Sequence, residues 1–111
     1  MEAGAQIDNK NEDEQTPLHI AAKNGKLKIL KYILSKDRYS VNDEDFESQN
    51  ALHLASQEGH DDIVMELVRA GADVHARTTH QWTPLMCAAA HGWVKCAVHL
   101  IRVDTTGIKY Y

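Results

Sequence analysis

The chain has 111 residues, of which 43 % are hydrophobic and 25 % are charged, a globular composition that excludes wholesale disorder. Its 12 Lys and Arg residues against 16 Asp and Glu residues give a net charge of −4, which disfavours binding to nucleic acid or to an anionic membrane. No apolar run is long enough for membrane insertion, no secretory signal pattern is present, and two cysteines cannot build a disulfide framework. We therefore expect a protein of the cytoplasm or the nucleus.

Self-similarity along the chain is its most informative feature. Thr-Pro-Leu-His-Ile-Ala-Ala begins at Thr16, Asn-Ala-Leu-His-Leu-Ala-Ser at Asn50, and Thr-Pro-Leu-Met-Cys-Ala-Ala at Thr83. A glycine follows each copy at the same offset, at positions 25, 59 and 92, so the period is 34 and then 33 residues. An amphipathic stretch follows each glycine, with apolar residues at 29, 30, 33 and 34 in the first copy, which is helical spacing.

The residue chemistry of each copy predicts two short antiparallel helices. Thr16, Asn50 and Thr83 are residue types that cap a helix N-terminus, and in two copies a proline follows at the first helical position. The glycines suit the left-handed turn that ends a first helix. Neither helix can bury its apolar stripe alone, so we expect neighbouring copies to stack.

A period of 33 residues with a Thr-Pro-Leu-His-x-Ala signature resembles the ankyrin repeat family over nearly the whole chain. The resemblance implies an all-α solenoid of stacked helix–turn–helix units joined by β-hairpin-like fingers. In chain order we predict the tail of a preceding repeat over 1–12, repeats over 13–42, 47–76 and 80–103, and an atypical C-terminal tail over 104–111. The second helix of the third repeat is expected to stop near Val103.

The fingers depart from the family pattern at one position. The family usually has a glycine two residues before the capping residue, where this chain has Glu14, Ser48 and Gln81. Because residues other than glycine rarely adopt a positive φ, we expect these turns to be looser or strained.

Ankyrin repeat proteins bind partners mainly through a concave face, which the finger tips and the exposed side of the first helices form. This resemblance implies a set of partner-binding positions in all three copies. Phe46 and Trp82 stand out among them because exposed aromatic residues often anchor interfaces, although packing against the neighbouring finger is the alternative for both. The complete predicted set is Glu12, Asp13, Gln15, Lys23, Asn24, Phe46, Glu47, Gln49, Gln57, Glu58, Thr79, His80, Trp82 and His91.

Two acidic runs, over 12–14 and 43–47, fall in the first and second fingers. They are not spaced like calcium-binding loops. Either they are solvated surface, or they form an acidic strip that attracts a basic segment of a protein partner.

Cys87, His91, Cys96 and His99 are residue types that bind zinc. In the repeat register, however, Cys87 and Cys96 fall on apolar core positions, where cysteine is a small buried hydrophobe. The resemblance gives the histidine of the signature a structural role, as a hydrogen-bond partner of the capping residue and nearby backbone. We therefore expect no metal site, no cofactor and no catalytic residue, and hence no enzyme.

The resemblance also points to one modification. Leu67, Asp73, Val74 and His75 match the spacing recognised by the asparagine hydroxylase that modifies ankyrin fingers, with His75 at the acceptor position. Asn42 is a second candidate, in a segment that lacks the acidic residue. We therefore predict hydroxylation at His75 or Asn42.

Two functional hypotheses follow. The first is a non-catalytic protein–protein interaction module that binds a protein partner through its concave surface. The second is an interior structural segment of a long ankyrin array that contacts its own neighbouring repeats, in a membrane-skeleton adaptor or in the cytosolic domain of a transient receptor potential-type cation channel. The segment over 4–10, which resembles the finger segment over 71–77, favours a chain cut from a longer array.

Overall fold

The computed structural model describes residues 10–36 and 39–108, with side chains as far as Val103. Within these ranges it contains helices, turns and no β-strand, so the predicted all-α class is confirmed. The tail predicted over 1–12 lies outside the described residues except for positions 10–12. The helices are α1 (Pro17–Lys23), α2 (Leu27–Leu34), α3 (Ala51–Glu58), α4 (Asp61–Arg69), α5 (Pro84–Ala90) and α6 (Val94–Ile108).

The first helix of each repeat begins at the predicted cap. The side chains of Thr16, Asn50 and Thr83 each accept a hydrogen bond from the backbone N–H three residues later. A reciprocal hydrogen bond forms at two of these caps: Nδ1 of His19 and of His53 accepts the backbone N–H of the capping residue at 3.0 Å. Two orphan donors are thus satisfied at each of these helix starts, which fixes where the helix begins.

The helices stack in two rows. In the row of first helices α3 lies between α1 and α5, and in the row of second helices α4 packs against both α2 and α6. Leu18, Leu52, Ile63 and Leu67 are fully buried between the rows and between successive repeats. The molecule measures 48 × 27 × 26 Å, as expected for a core built from a line of small interfaces.

Tight turns form the tips of the fingers. Asn11 Oδ1, Asp45 Oδ1 and Thr78 Oγ1 each accept hydrogen bonds from the backbone N–H groups two and four residues later, over 2.9–3.2 Å. Neighbouring fingers are joined by single backbone hydrogen bonds of 3.0 Å, from Phe46 N–H to the Asp13 oxygen and from Thr79 N–H to the Glu47 oxygen. The fingers are therefore hydrogen-bonded turns, without the regular ladder of a β-hairpin.

The expected strain is present in all three described fingers. Glu14, Ser48 and Gln81 have φ angles of 61°, 58° and 70°, in the left-handed region that favours glycine. The turn geometry of the repeat therefore persists without the glycine, and the side chain at this position bears the steric cost.

The signature histidines join each first helix to the finger that follows it. His19 Nε2 donates to the Gln49 carbonyl oxygen at 2.9 Å. His53 Nε2 donates to the carbonyl oxygens of Ala76 and Trp82, both at 2.9 Å. The predicted structural role of these histidines is confirmed, and it places the base of two fingers against buried helix starts.

A second contact joins successive repeats at the turns between paired helices. His60, in the turn before α4, donates from Nε2 to the Lys23 carbonyl oxygen of the preceding repeat at 3.0 Å. Trp93 occupies the same place before α6 and donates from Nε1 to the Gln57 carbonyl oxygen at 2.7 Å. Each donor thus satisfies a carbonyl in the last turn of the preceding repeat's first helix.

The last helix is longer than the repeat pattern predicts. The expectation that it stops near Val103 is wrong, because α6 continues to Ile108. No glycine or proline occurs between Val94 and Thr106, so the sequence has no residue that would end the helix earlier. Part of the predicted C-terminal tail over 104–111 is therefore helical.

Candidate protein-binding surface

The structure leaves most of the predicted partner-binding residues accessible to solvent. Glu47, Gln49 and Gln57 are half-buried. The exposed members of the set are Glu12, Asp13, Lys23, Asn24, Phe46, Glu58, Thr79, His80, Trp82 and His91.

Gln15 is the exception, and the expectation that it is exposed is wrong. Its side chain is buried, and its Nε2 donates to Asp45 Oδ2 at 3.4 Å. Its Oε1 accepts a hydrogen bond from Asn11 Nδ2 at 3.2 Å. Both polar atoms of the Gln15 amide are therefore engaged: Nε2 joins the first finger to the second, and Oε1 bonds within the first finger.

One pocket lies where the second and third repeats meet, and it has a volume of about 260 Å³. We call it the Glu47 pocket. Six of its lining residues belong to the predicted set, whereas Thr78 and Cys87 do not. Both were missed because Thr78 closes a finger and Cys87 belongs to the core pattern. The lining residues are Glu47, Gln49, Gln57, Thr78, His80, Trp82, Cys87 and His91.

A chain of amide hydrogen bonds orders one wall of the Glu47 pocket. Gln57 Nε2 donates to Gln49 Oε1 at 2.9 Å, and Gln49 Nε2 donates to Asp45 Oδ2 at 3.1 Å. Asp45 is itself buried and fixed by the backbone of its finger. The wall is therefore held in one arrangement by a connected network.

The thiol of Cys87 forms part of the pocket lining and is neutral. Burial raises the pKa of Cys87, and a contact with the side-chain amide of Gln57, 3.9 Å from Sγ, opposes this only in part. His91 Nδ1 donates to the Cys87 carbonyl oxygen at 3.0 Å, so Nε2 is the acceptor nitrogen in this tautomer of the ring. A buried neutral thiol is a weak nucleophile, so the pocket is suited to binding.

The two aromatic residues singled out in the sequence are both accessible. Phe46 is 54 % exposed and Trp82 is 38 % exposed. Their backbones are anchored, because the N–H of Phe46 donates to Asp13 and the carbonyl of Trp82 accepts from His53. Aromatic side chains on an anchored backbone lose little conformational entropy on binding, which suits an interface anchor.

The acidic run over 43–47 is interrupted in the structure. Asp45 is buried and accepts from Gln15 as well as from the amide wall of the pocket, so it is a structural residue. Glu44 is exposed and Glu47 half-buried, which leaves their carboxylates accessible. An acidic finger edge remains, with fewer solvent-accessible carboxylates than the sequence indicates.

The cysteines and histidines of the third repeat do not form a cluster. Cys87 and Cys96 are both buried, as their core register predicts. Burial raises the pKa of Cys96 to about 11, with further contributions from the charges of Asp61 and Asp62. Within the described residues, no group of three or more His, Cys, Asp or Glu side chains is placed to hold a metal ion.

The outer face of the first repeat exposes apolar residues that the repeat pattern otherwise buries. Ile20 is 38 % exposed and Ile29 is 56 % exposed, and both line an apolar groove of about 490 Å³. Their counterparts 34 residues later, Leu54 and Ile63, are 4 % and 0 % exposed. This face thus has the composition of a repeat–repeat interface.

Two family models together match nearly the whole chain. The model for Ankyrin repeats (3 copies) matches residues 1–78, and the model for Ankyrin repeat matches residues 80–106. The chain belongs to the ankyrin repeat family. The predicted family is therefore confirmed, and ankyrin repeats are in general non-catalytic modules of protein–protein interaction.

Similar ankyrin segments occur in much longer proteins. The Transient receptor potential cation channel subfamily A member 1 homolog of Caenorhabditis elegans is 37 % identical over 98 residues, and the Drosophila melanogaster and Homo sapiens channels of that name are 34 % and 32 % identical. These matches cover 88 %, 91 % and 80 % of this chain but only 8 %, 9 % and 8 % of the relatives. The chain thus spans less than a tenth of their length. Among the described helices, none is both long and apolar enough to cross a membrane.

Proposed function

We propose that this ankyrin repeat protein binds a protein partner through its concave surface, without catalysis or a cofactor. The observation that carries the proposal is the Glu47 pocket, where six residues of the predicted partner-binding set converge from the second and third repeats. Phe46 and Trp82 add exposed aromatic area on fingers that are already hydrogen-bonded in place. The partner's contacts would extend over the exposed members of the predicted set, and a basic segment would complement the acidic finger edge.

Site-specific photo-crosslinking tests where the partner binds. p-Benzoylphenylalanine replaces Phe46 in one variant and Tyr32, which is 64 % exposed on the second helix of the first repeat, in a control variant. We expect a protein to be crosslinked from cells through position 46 and not through position 32. Crosslinking through position 32 alone would contradict a concave binding surface.

A second function is favoured by the exposed outer face of the first repeat. We propose that the chain is an interior segment of a longer ankyrin array, in which the helices of a preceding repeat cover Ile20 and Ile29. The counterparts of these residues are buried by such helices within this chain. The similarity to channel proteins more than ten times as long supports this setting. Within the array we propose repeats over 13–42, 47–76 and 80–103.

Fusion of a further repeat tests the array proposal. Ile20→Ser with Ile29→Ser should cost about 2 kcal/mol or less in the free energy of unfolding of the 111-residue chain, since the two residues are 38 % and 56 % exposed. With a consensus ankyrin repeat fused in register before residue 13, the same change should cost about 3 kcal/mol or more. Equal costs in the two chains would show that the face does not stack.

We propose that the protein is located in the cytoplasm or the nucleus. We also propose that it is hydroxylated there at His75 or Asn42. His75 and Asn42 are both exposed in the structure. Asn42 Oδ1 accepts a hydrogen bond from Asp73 N–H at 2.8 Å, so its amide joins two fingers. Peptide mass spectrometry of the protein from animal cells should find one added oxygen on His75, and an unmodified peptide would contradict this.

A further inference from the structure

The Glu47 pocket has an unbalanced set of polar groups. Glu47 supplies a carboxylate, and within the described residues no Lys, Arg or His nitrogen lies within 4 Å of it. Its side chain accepts one long hydrogen bond of 3.5 Å, from Gln49 Nε2. Partial burial removes water from this carboxylate, and few hydrogen bonds replace it. The carboxylate therefore favours the approach of a positively charged group.

Comparison with the preceding repeat shows what has changed at this site. Thirty-four residues earlier, Asp13 is the counterpart of Glu47, and Lys23 is the counterpart of Gln57. The first pair of repeats therefore has an acid and an ammonium group at these two positions. In the Glu47 pocket the acid is kept and the ammonium is replaced by a neutral amide, so the residues that line it include no Lys or Arg.

Two further side chains of the pocket, Gln57 and His91, have acceptor atoms that no hydrogen bond within the described residues uses. Gln57 uses its Nε2 as a donor to Gln49, which leaves Oε1 as an acceptor. His91 uses Nδ1 as a donor to a backbone carbonyl, so Nε2 is the ring nitrogen left for a ligand, and it is the acceptor in this tautomer. Together with the Glu47 carboxylate, these atoms call for a ligand with several N–H donors and no acceptor.

Trp82 adds an aromatic surface to the same pocket. Its side chain is 38 % exposed, and its backbone is held by His53 and Thr78. A planar guanidinium stacks on such a ring and donates through its fork to a carboxylate, whereas an ammonium makes only point contacts. The volume of about 260 Å³ is below the usual range for small-molecule sites, which begins at about 300 Å³, and it suits a single side chain.

We propose that the Glu47 pocket binds the side chain of an arginine of the protein partner. Glu47 accepts from the guanidinium, Trp82 stacks against it, and Gln57 and His91 accept its remaining N–H groups. This inference rests on the proposed concave binding function and names the residue type that the surface recognises.

Selection from a peptide library tests the proposal. A random 12-residue phage library is selected against the full chain, and the affinity of the resulting synthetic peptide is measured by calorimetry. The peptide should contain an arginine whose replacement by citrulline weakens binding about tenfold, since citrulline keeps the shape and loses the charge. Replacement by lysine should weaken binding about fivefold.

Matched variants of the protein locate the effect. Glu47→Gln and Trp82→Ala should each weaken binding of the arginine peptide about tenfold, whereas Glu44→Gln, which removes the same charge outside the pocket, should leave it within about twofold. A peptide that depends on Trp82 but tolerates citrulline or lysine without loss would overturn the arginine assignment and leave concave binding intact. Peptides that bind equally well to Phe46→Ala and Trp82→Ala would overturn both.

Discussion

The indole N–H of Trp93 donates to the carbonyl oxygen of Gln57 over 2.7 Å, across the boundary between the second and third repeats. The ring lies directly against Gly59, where an added Cβ would be 2.5 Å from Trp93 Cδ2. His60 makes the corresponding contact one repeat earlier, with Lys23 and Gly25. The side chains that follow Gly59 and Gly92 thus cover the turn of the preceding repeat, which couples neighbouring repeats away from the fingers.

This packing predicts different costs for two glycine substitutions. Gly59 and Gly92 have similar φ angles of 77° and 74°, but only Gly59 has a neighbour within 4 Å of an added Cβ. Gly92→Ala should cost about 1–2 kcal/mol of unfolding free energy, from backbone strain alone. Gly59→Ala should cost about 2 kcal/mol more, because the Trp93 ring must move. Urea denaturation measures both, and equal costs would contradict the contact.

Restoring a glycine in a finger should stabilise the protein. Gln81 has a φ of 70°, and a residue with a Cβ destabilises the folded state by about 1–2 kcal/mol in this conformation. Glycine avoids that strain, but its more flexible unfolded chain reduces the free energy of unfolding by about 0.5–1 kcal/mol. Gln81→Gly should therefore raise the free energy of unfolding by about 0.5–1 kcal/mol in thermal or urea denaturation. Thr79→Gly, two residues away and with a φ outside this region, is the matched control and should be destabilising.

Asp45 and Glu44 should respond differently to the loss of their carboxylates. Asp45 is buried and accepts hydrogen bonds from two backbone N–H groups and two glutamine amides. Asp45→Ala should cost about 2–3 kcal/mol of unfolding free energy, since buried donors lose a charged acceptor. Glu44→Ala should change it by less than about 0.5 kcal/mol, because the residue is exposed. Similar small effects would mean that the whole run is solvated surface.

His53 should make stability depend on pH. Burial lowers its pKa below the ordinary value of 6.5, and the hydrogen bonds to the Trp82 and Ala76 carbonyls raise it only in part. The unfolded chain therefore takes up a proton near pH 6.5 while the native state resists it. The contribution of His53 is complete above pH 6.5 and is lost as pH falls through the native pKa, at up to about 1.4 kcal/mol per pH unit.

The variant His53→Met, which copies Met86 at this position of the third repeat, tests this pH dependence. It should be less stable at pH 7.5, because the finger loses its anchor, and its stability should fall less steeply than wild type between pH 6.5 and 5. Urea denaturation at several pH values gives both quantities. An unchanged slope would show that other groups carry the pH dependence.

Local backbone chemistry is what the sequence predicts well. The caps at Thr16, Asn50 and Thr83 and the strain at Glu14 follow from preferences of single residues within a few positions. The family match follows from the period of 33–34 residues together with the Thr-Pro-Leu-His-x-Ala signature. These features do not depend on which side chains meet across repeats, so no tertiary information is needed to predict them.

Contacts between repeats are what the sequence analysis misses. Gln15 is polar and lies in a finger, yet it is buried because Asp45 of the next finger accepts from it. Trp93 and Gln57 are 36 residues apart and have no pattern that links them. The extension of α6 was missed because a helix needs a stop signal to end, and none precedes Gly107. For Gln15 and Trp93 the side chain's role depends on its neighbours in space.

Affinity capture with paired variants tests the central claim, that the concave surface binds a protein partner, most directly. Partners captured from cells are quantified for wild type, for Phe46→Ala with Trp82→Ala, and for the control Tyr32→Ala with Val94→Ala, which removes two side chains 64 % and 71 % exposed on the second helices. The Phe46→Ala, Trp82→Ala variant is first shown by circular dichroism to be folded. We predict that it captures at least about tenfold less partner than wild type, while the control variant captures as much as wild type. Full capture by the concave variant would contradict the account.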